Sequence, residues 1–284
     1  MKIKQYRTHF ILELTPIYDS GEAESFFYLI LEEKCHLRRI DLALNPDLTF
    51  SDEEIQDWNS ILNQLKEEIP VQYLLGKASF YGLDFEVNPS VLIPRPETEE
   101  LVEWILESQK SKGNSQNVKI IDIGTGSGCI AISLAKNIPN ALVFAIDVSE
   151  KALAIAKKNA KINGVNVTFF KKNILETEDL EQQFDIIVSN PPYVRELEKK
   201  EIKKNVLDNE PHLALFVEDN DALVFYKKIA ELAQKNLSQN GELFFEINQY
   251  LGKETIDLLG KMGFKNIELR QDIYGNDRMI KAKL

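Results

Sequence analysis

A glycine-rich segment with the sequence Asp-Ile-Gly-Thr-Gly-Ser-Gly runs from Asp122 to Gly128, between a predicted strand and a predicted helix. Glycine allows the backbone to turn tightly and allows a ligand to approach it closely. Because position 129 is Cys, the spacing is G-x-G-x-G and the dinucleotide pattern G-x-G-x-x-G is not met. A plain strand-to-helix turn is the alternative interpretation. The candidate ligand-binding residues here are Gly124, Thr125, Gly126, Ser127 and Gly128.

An acidic residue, Asp147, ends the next predicted strand, 21 residues after Gly126. A carboxylate in this position can accept hydrogen bonds from both hydroxyls of a ribose; alternatively, it is an acid favoured by the dipole of the following helix. Ser149 is available to cap that helix, which leaves Asp147 free for a ligand. A glycine loop without the dinucleotide spacing, followed by such an acid, is typical of an S-adenosylmethionine site. There, Asp122 would hold either the loop or the methionine amino group.

A second motif, Asn-Pro-Pro-Tyr at residues 190–193, follows Ser189 at the end of the fourth predicted strand. Two consecutive prolines remove two backbone donors and fix the turn, so its carbonyl groups should point outward. Asn190 adds a side-chain carbonyl as a further acceptor, and Tyr193 adds an aromatic wall. We expect this turn to lie beside the glycine loop, because the carboxyl ends of parallel strands meet at one sheet edge. The alternative is a rigid strand-end turn with a structural role alone.

This turn suits chemistry on a nitrogen whose lone pair is delocalised, as in an amide or an aromatic amine. Two acceptors for the NH2 hydrogens would orient the nitrogen and favour the charge that develops on it. Such a reaction needs neither a strong base nor a metal in advance, and the sequence offers neither near these motifs. The candidate catalytic and substrate-binding residues are Asn190, Pro191, Pro192 and Tyr193, and no metal ligand is predicted.

The elements that must position these motifs alternate between strand and helix after residue 119. The predicted strands are 119–123, 142–147, 167–171, 185–189, 242–247, 267–271 and 279–283. The predicted helices are 130–136, 150–163, 221–236 and 253–262. This alternation predicts an α/β fold with an open, mostly parallel sheet covered on both faces. Only seven residues join the last two strands, too few for a parallel crossover, so that pair should be antiparallel.

Residues 1–70 are predicted to be helical, because Gly and Pro are scarce and apolar residues recur at helical spacing. One helix should begin with a capping box of Ser51 and Glu54 and end at Pro70. These helices form either a small bundle with a buried core or a docking module for a partner.

The connecting region is predicted in four parts. A short hairpin spans residues 80–87, two prolines interrupt regular structure at residues 94 and 96, a helix runs from Glu97 or Thr98 through Leu106, and residues 108–117 form a surface loop.

The composition restricts the possible function classes. The chain has 284 residues, of which 44% are hydrophobic and 28% charged, as expected for about two folded domains without disorder or a disulfide scaffold. The net charge of -11 opposes nucleic-acid binding except through a local patch. No apolar run approaches the roughly 20 residues that span a bilayer, and the first residues lack a signal-peptide pattern. Cys35 and Cys129 have no metal-ligand spacing and indicate a reducing, cytoplasmic location.

The motifs together resemble the HemK/PrmC family, the release factor glutamine methyltransferases. The segments that carry the resemblance are Pro-Val-Gln-Tyr-Leu-Leu-Gly at 70–76, the aromatic hairpin, Leu-Ile-Pro-Arg-Pro-Glu-Thr-Glu at 92–99, the glycine loop at 122–128, Ser-Asn-Pro-Pro-Tyr at 189–193, Glu-Pro-His-Leu-Ala-Leu at 210–215 and Tyr-Gly-Asn-Asp-Arg at 274–278. The Asn-Pro-Pro-Tyr turn alone also occurs in adenine methyltransferases, whereas its combination with Ile-Pro-Arg-Pro-Glu-Thr-Glu is much more selective. The first 70 residues resemble the N-terminal part of this family mainly in length and helical character.

The resemblance implies a seven-stranded, Rossmann-like class I methyltransferase sheet with a small N-terminal helical domain. It also implies transfer of a methyl group from S-adenosylmethionine to the side-chain amide nitrogen of the Gln in the Gly-Gly-Gln motif of peptide chain release factors. The implied cofactor positions are Gly124 through Gly128, Asp147, Asn173, Ile174 and Asn190, and the implied substrate positions are Asn190 through Tyr193. An acid is common in such enzymes where this chain has Asn173, so backbone groups and Ile174 are expected to bind the adenine.

The expected domains are a helical substrate-docking domain at residues 1–70, a hairpin linker at 71–95 and a methyltransferase domain at 96–284. We expect a monomer that acts on release factors without membrane or direct nucleic-acid contacts. One alternative is an adenine-specific nucleic-acid methyltransferase with the same turn, which would need a basic groove. Another is a non-catalytic binder of an adenosyl ligand, which would not need acceptors for an amide.

Other residues near the motifs have less specific interpretations. Arg95 either faces the entrance of the cofactor or substrate site or pairs with Glu97 or Glu99. Structural roles are assigned to Glu210 and His212 in a surface loop, to Asp277 and Arg278 as a pair in the closing hairpin, and to Cys129 as a packing residue.

Overall fold

The fold is that of a computed structural model, which describes residues 1–111 and 117–284. The helices are α1 (Ile3–Leu14), α2 (Ser20–Cys35), α3 (Arg39–Leu44), α4 (Asp52–Lys66), α5 (Val71–Leu75), α6 (Pro96–Ser111), α7 (Cys129–Asn137), α8 (Glu150–Ile162), α9 (Lys204–Asn209), α10 (Val224–Asn236) and α11 (Gly252–Lys261). The strands are β1 (Lys77–Phe80), β2 (Leu83–Glu86), β3 (Lys119–Ile123), β4 (Leu142–Asp147), β5 (Val167–Lys171), β6 (Phe184–Ser189), β7 (Val194–Arg195), β8 (Phe216–Val217), β9 (Leu237–Glu246), β10 (Lys265–Gln271) and β11 (Asp277–Lys283).

The described chain forms two compact units. The first contains Met1–Gly76 together with α9, and the second contains Lys77–Lys203 and Glu210–Leu284. The boundary therefore differs from the predicted one at residue 70. The short helix α5 contributes Val71 to the core of the first unit, which moves the boundary past Gly76.

The core of the first unit is largely aromatic. Trp58 of α4 has the rings of Tyr6, Phe10, Phe27 and Phe50 within 6 Å between centroids, at distances of 4.9 to 5.8 Å. Such ring pairs stabilise a small core beyond the area that they bury. The predicted helical bundle with a buried core is thus what residues 1–76 form.

Helix α4 begins as predicted but ends early. Ser51 Oγ accepts from the Glu54 amide at 3.2 Å, and a Glu54 carboxylate oxygen accepts from the Ser51 amide at 2.7 Å, which is the predicted capping box. The helix ends at Lys66, because Glu68 adopts a left-handed conformation with φ of 61°. Pro70 instead stands before the first residue of α5, so the predicted helix end at Pro70 is wrong.

The second unit begins with the predicted hairpin. Strands β1 and β2 pair antiparallel across a two-residue turn of Tyr81 and Gly82, both with positive φ. Asn159, buried on α8, continues the edge of β2 with its side chain. Its carboxamide accepts from the Glu86 amide at 2.6 Å and donates to the Glu86 carbonyl at 3.0 Å. The hairpin therefore belongs to the second unit and differs from the predicted linker.

The central sheet has seven strands in the order β10-β11-β9-β6-β3-β4-β5. Neighbours from β9 to β5 pair parallel, whereas β11 pairs antiparallel with both β9 and β10. The mostly parallel sheet and the antiparallel final pair are both confirmed. Strands β3, β6 and β9 each contain at least four consecutive buried residues, as expected for a sheet covered on both faces.

Three further predicted boundaries, all in the second unit, were wrong. Strand β9 begins at Leu237, five residues early, with an irregular register against β6. Helix α10 begins at Val224, because a 3-10 turn occupies Asp219–Asp221. Helix α6 continues to Ser111, because its buried face extends to Ser108. The predicted surface loop is therefore wrong from residue 108 to 111, and residues 112–116 of it lie outside the described residues.

Candidate functional site

A cavity of about 300 Å³ lies at the carboxyl edge of the sheet, where β3, β4 and β6 end. This is the position at which open α/β sheets bind ligands. Both predicted motifs border it. The predicted site residues that line it are Gly124, Thr125, Gly126, Ser127, Asp147, Asn173, Ile174, Asn190, Pro191 and Pro192.

The glycine loop after β3 adopts a backbone that favours glycine at three positions. Gly124, Gly126 and Gly128 have φ of 77°, 54° and 85°. A Cβ on Gly124 or Gly126 would meet no atom within 4 Å, so at these positions the loop leaves open space. A Cβ on Gly128 would come within 2.9 Å of Ile132 and 3.1 Å of Ala156. Gly128 therefore allows close packing of the loop against α8, and it does not line the cavity.

Asp147 ends β4 at the cavity. The sequence predicted a free carboxylate there, but both of its oxygens have hydrogen-bond partners. One oxygen accepts from the Gly126 amide at 2.9 Å, and the other accepts from the Ser149 amide at 2.8 Å. Ser149 caps α8 by accepting from the Ala152 amide, as predicted. Burial raises the pKa of Asp147, and the backbone amides oppose that rise. Asp147 thus holds the glycine loop, and it also lines the cavity.

Asp122 is fully buried beneath the same loop. Its carboxylate accepts from the Thr125 hydroxyl at 2.6 Å, which supports the loop-holding alternative. Burial raises its pKa from 3.8 to about 7. Burial also raises the pKa of the neighbouring Cys129 thiol to about 12, so this thiol is neutral, in agreement with a packing role.

The residues predicted to lie near an adenine follow β5. Asn173 lines the cavity, and its side-chain oxygen accepts from the Leu175 amide at 3.1 Å, which caps a short 3-10 turn. Ile174 also lines the cavity and packs partly against the core. The Asn173 side chain is therefore engaged in the turn, and the apolar surface here comes from Ile174.

The Asn-Pro-Pro-Tyr turn after β6 presents two carbonyl groups. The Asn190 amide nitrogen donates to the Thr98 hydroxyl at 3.4 Å, and the Thr98 hydroxyl donates to Glu246 at 2.6 Å. Within residues 1–111 and 117–284, the Asn190 side-chain oxygen and the Pro191 carbonyl have no hydrogen-bond partner. Asn190 and Pro191 both line the cavity, so two residues of its lining carry acceptors without a partner in the described part of the chain.

Tyr193 differs from the predicted aromatic wall. It is half-buried against the core, it is not among the residues that line the cavity, and its hydroxyl donates to Glu246 at 3.0 Å. Burial raises the pKa of Tyr193 well above its usual value. Asn248 donates to the Tyr193 carbonyl at 2.9 Å. The geometry therefore gives Tyr193 a role in anchoring the turn.

Asn248 is itself held by a buried carboxylate. It donates to Glu198 at 2.8 Å, and the Arg195 guanidinium donates to the same carboxylate at 2.9 Å. A buried acid with several charge-assisted bonds fixes its partners firmly. Asn248, fixed by Glu198, thus holds the backbone at Tyr193, directly after the two prolines.

Arg95 takes neither of its predicted partners. It lines the cavity and pairs at 2.5 Å with Glu210, whose side chain is almost fully buried. Glu210 also accepts from the Ile93 amide at 3.1 Å, so its predicted surface position is wrong, whereas His212 is exposed. Arg278 pairs with Asp272 at 3.1 Å, and Asp277 accepts from Gln271 instead. Arg95 and Arg278 therefore each pair with a buried acid that was not their predicted partner.

Thr98 and Glu246 are among the residues of the site that could not be assigned from the sequence. Thr98 was assigned only to a helix start, and Glu246 was read as part of a strand. Glu246 had a signal, because it is a lone acid inside the apolar run from Leu243 to Ile247. An acid there is expected to have buried partners, and here they are Thr98 and Tyr193.

In the described part of the chain, no group of three or more His, Cys, Asp or Glu is placed to hold a metal ion. No helix among the described residues is both long and apolar enough to cross a membrane.

Both units are similar to known protein families. A family model described as the PrmC N-terminal domain matches residues 6–76, and one described as the methyltransferase small domain matches residues 101–215. The release factor glutamine methyltransferase of Flavobacterium psychrophilum is 66% identical and covers 99% of this chain and 99% of its own length. The release factor glutamine methyltransferase of Bacteroides thetaiotaomicron is 43% identical and covers 95% of both chains.

Solved structures share the fold at low identity. A methyltransferase from Pyrococcus furiosus aligns with a TM-score of 0.53 at 21% identity, over 78% of this chain and 98% of its own. This similarity, with the strand order above, confirms the predicted class I methyltransferase sheet.

Proposed function

The chain belongs to the HemK/PrmC family of release factor glutamine methyltransferases, and from this premise we propose how its site performs the reaction. It is an S-adenosylmethionine-dependent enzyme that methylates the side-chain amide nitrogen of the Gly-Gly-Gln glutamine in peptide chain release factors. The observation that best supports the residue assignment is the pair of unpartnered carbonyl groups of Asn190 and Pro191 beside the glycine loop.

The residues at the glycine loop fit the cofactor. S-adenosylmethionine supplies a methyl group activated by an adjacent sulfonium. The open space above Gly124 and Gly126 would admit its amino-acid portion close to the backbone. A carboxylate offers about four acceptor sites, and Asp147 uses two of them for backbone amides, which leaves capacity for the ribose hydroxyls. Ile174 and the backbone near Asn173 would contact the adenine.

Asn190 and Pro191 act on the substrate. The Asn190 side-chain oxygen and the Pro191 carbonyl would each accept a hydrogen bond from one N–H of the glutamine amide. These bonds would orient the amide nitrogen toward the methyl group. A delocalised amide nitrogen is a weak nucleophile, so orientation and favourable dipoles near the developing positive charge lower the barrier. Pro191 and Pro192 bring no competing backbone donors to this turn.

Tyr193 and Arg95 act at the margin of this site. We assign Tyr193 to the fixed position of the turn, because its hydroxyl and its carbonyl both have buried partners. Arg95, held by Glu210, lines the cavity, as do three residues of the segment after Glu210, namely Pro211, Leu213 and Ala214. It would contact the carbonyl groups of the Gly-Gly-Gln backbone.

The first unit would dock the release factor. Every residue assigned to cofactor or amide lies in the second unit, so the first unit has no part in the chemistry. Removal of residues 1–76 should leave cofactor affinity intact and weaken methylation of the intact factor, but not of a short Gly-Gly-Gln peptide. Equal methylation of the intact factor by both proteins would contradict the docking role.

We further propose that the enzyme works as a monomer and does not bind nucleic acid directly. The net charge of -11 supports the second point, because it opposes the approach of a phosphate backbone. The molecular mass from analytical sedimentation, at the concentration used in the activity assay, tests whether the enzyme is a monomer.

A methyl-transfer assay tests the proposed function. Purified protein and labelled S-adenosylmethionine are incubated with a release factor, with the same factor carrying Gln→Ala in its Gly-Gly-Gln motif, and with duplex DNA. We expect label on the intact factor alone. Label on the substituted factor would show that another residue is the target, and label on DNA would favour the adenine methyltransferase alternative.

A further inference from the structure

The amide group of Asn190 has two ends of opposite character. Its oxygen accepts hydrogen bonds, whereas its NH2 group donates them. Only the oxygen can bind the NH2 of a substrate glutamine, so the group must be held with its oxygen toward the cavity. Because both ends have the same shape, packing alone does not select one orientation.

A hydrogen-bond chain makes this selection. Burial raises the pKa of Glu246, whereas the hydrogen bonds from Thr98 and Tyr193 and the charge of Arg278 oppose that rise and favour the carboxylate. A carboxylate only accepts hydrogen bonds, and one Glu246 oxygen lies 2.6 Å from the Thr98 hydroxyl. The single hydroxyl hydrogen of Thr98 therefore points to Glu246, which leaves only an acceptor lone pair for Asn190. The Asn190 NH2 group occupies that lone pair at 3.4 Å, and its oxygen is consequently turned away from Thr98.

The chain is buried and fixed at its far end. Thr98 is 2% exposed and Glu246 is 1% exposed, so water does not compete for these bonds. The second Glu246 oxygen accepts from the Tyr193 hydroxyl at 3.0 Å, which also points its hydrogen toward the carboxylate.

We propose that Thr98 and Glu246 are positioning residues that determine which end of the Asn190 side chain faces the substrate amide. This inference rests on the proposed function, in which Asn190 binds the glutamine. Neither residue touches the substrate in this proposal, because both act through the orientation of Asn190.

The same helix and strand offer a matched control. Ser108 of α6 donates to Glu242 of β9 at 2.6 Å, as Thr98 does to Glu246. Ser108 is 9% exposed and Glu242 is 1% exposed. Ser108 does not line the cavity, so its hydroxyl joins the same two elements without a link to Asn190.

The experiment compares Thr98→Val, Thr98→Ser and Ser108→Ala in the full-length protein. Single-turnover methyl transfer to the release factor at saturating cofactor gives the rate constant and the half-saturating factor concentration, and calorimetry gives cofactor affinity. For Thr98→Val we expect a rate constant lower by about 10-fold to 100-fold, as for other losses of an orienting partner. Cofactor affinity should stay unchanged, Thr98→Ser should restore most of the rate, and Ser108→Ala should keep it.

Three results would overturn the inference: a normal rate for Thr98→Val, an equal loss for Ser108→Ala, or no recovery with Thr98→Ser. If Thr98→Val does not fold, Glu246→Gln decides, because a glutamine can donate as well as accept and no longer fixes the Thr98 hydrogen. A normal rate for Glu246→Gln would then overturn it. A wild-type protein without activity on the release factor would refute the proposed function, whereas an active wild type with these contrary variants would refute the positioning role alone.

Discussion

The glycine loop and the Asn-Pro-Pro-Tyr turn border one cavity, but different groups hold them in place. The glycine loop is held mainly through its own backbone: three glycines have positive φ, two loop amides donate to the Ile146 carbonyl, and the Gly126 amide donates to the Asp147 carboxylate. Side chains hold the turn, through Thr98 and Glu246 on one side and Asn248 on the other. A site held by backbone geometry should respond to substitutions mainly in stability and affinity. A site held by oriented side chains should respond mainly in rate.

The largest effect is expected at the turn. Asn190→Ala removes a preorganised acceptor, and such losses lower rates by roughly 10²-fold to 10³-fold. Cofactor affinity and folding should change much less, because among the described residues the Asn190 side chain makes only the 3.4 Å bond to Thr98. Single-turnover methyl transfer with saturating release factor, alongside cofactor calorimetry, measures both quantities. A near-normal rate would return this turn to its purely structural interpretation.

Beneath the glycine loop, Asp122 should make stability depend on pH. Folding raises its pKa from 3.8 to about 7, so between these values the folded chain binds more protons than the unfolded chain. The stability contribution of this group is present at low pH and is lost as the pH rises through the folded pKa. Relative to Asp122→Asn, the free energy of unfolding of the wild type should fall by roughly 2–3 kcal/mol from pH 5 to pH 8.

Urea unfolding of both proteins without cofactor, at several pH values, provides this difference. Groups that titrate in both proteins cancel in it. A difference that stays constant between pH 5 and pH 8 would show that Asp122 titrates normally.

Asp147→Ala tests the cofactor side of the comparison. Loss of charge-assisted bonds to ribose should weaken cofactor binding by roughly 1.5–3 kcal/mol. Part of this loss arises from the Gly126 amide, which no longer has its acceptor. Calorimetric titration measures the affinity, and Asp147→Asn is the control that keeps one acceptor oxygen. An unchanged affinity would mean that other residues hold the ribose.

The smallest effects are expected within the glycine loop itself. An alanine in the left-handed region costs about 1–2 kcal/mol. Gly126→Ala should show this cost alone, whereas Gly128→Ala should show an additional loss because its Cβ would lie 3.1 Å from the Cβ and 3.4 Å from the Cα of Ala156 on α8. Thermal unfolding of the two variants without cofactor ranks them. Equal stabilities would show that α8 moves to accommodate the added methyl group.

The comparison also explains how much of the site could be predicted. The glycine loop, the acid after β4 and the turn after β6 are local patterns at strand ends, and the parallel sheet brings them together. The seven strands of the central sheet, its antiparallel last pair and the hairpin were predicted from periodicity and connection length. These features depend on residues close in sequence.

The missed features depend on distant residues. Thr98 is 92 residues from Asn190 and 148 from Glu246, and Arg95 is 115 from Glu210. A single sequence gives no information on which buried acid will meet which donor. The same limit applies to the boundary at Gly76 and to α9. This helix belongs to the first unit although it lies far beyond Gly76 in the sequence.

The carboxamide of Asn159 has a consequence for local opening of the fold. It donates to the Ser127 carbonyl of the glycine loop at 2.9 Å while it also holds both backbone groups of Glu86. Separation of β2 from α8 would therefore release one anchor of the loop, and a loop fixed by a ligand would in turn oppose that separation, since coupling between two equilibria is reciprocal. Amide protons of the hairpin should accordingly exchange with solvent more slowly when the cofactor is bound, although no hairpin residue lines the cavity.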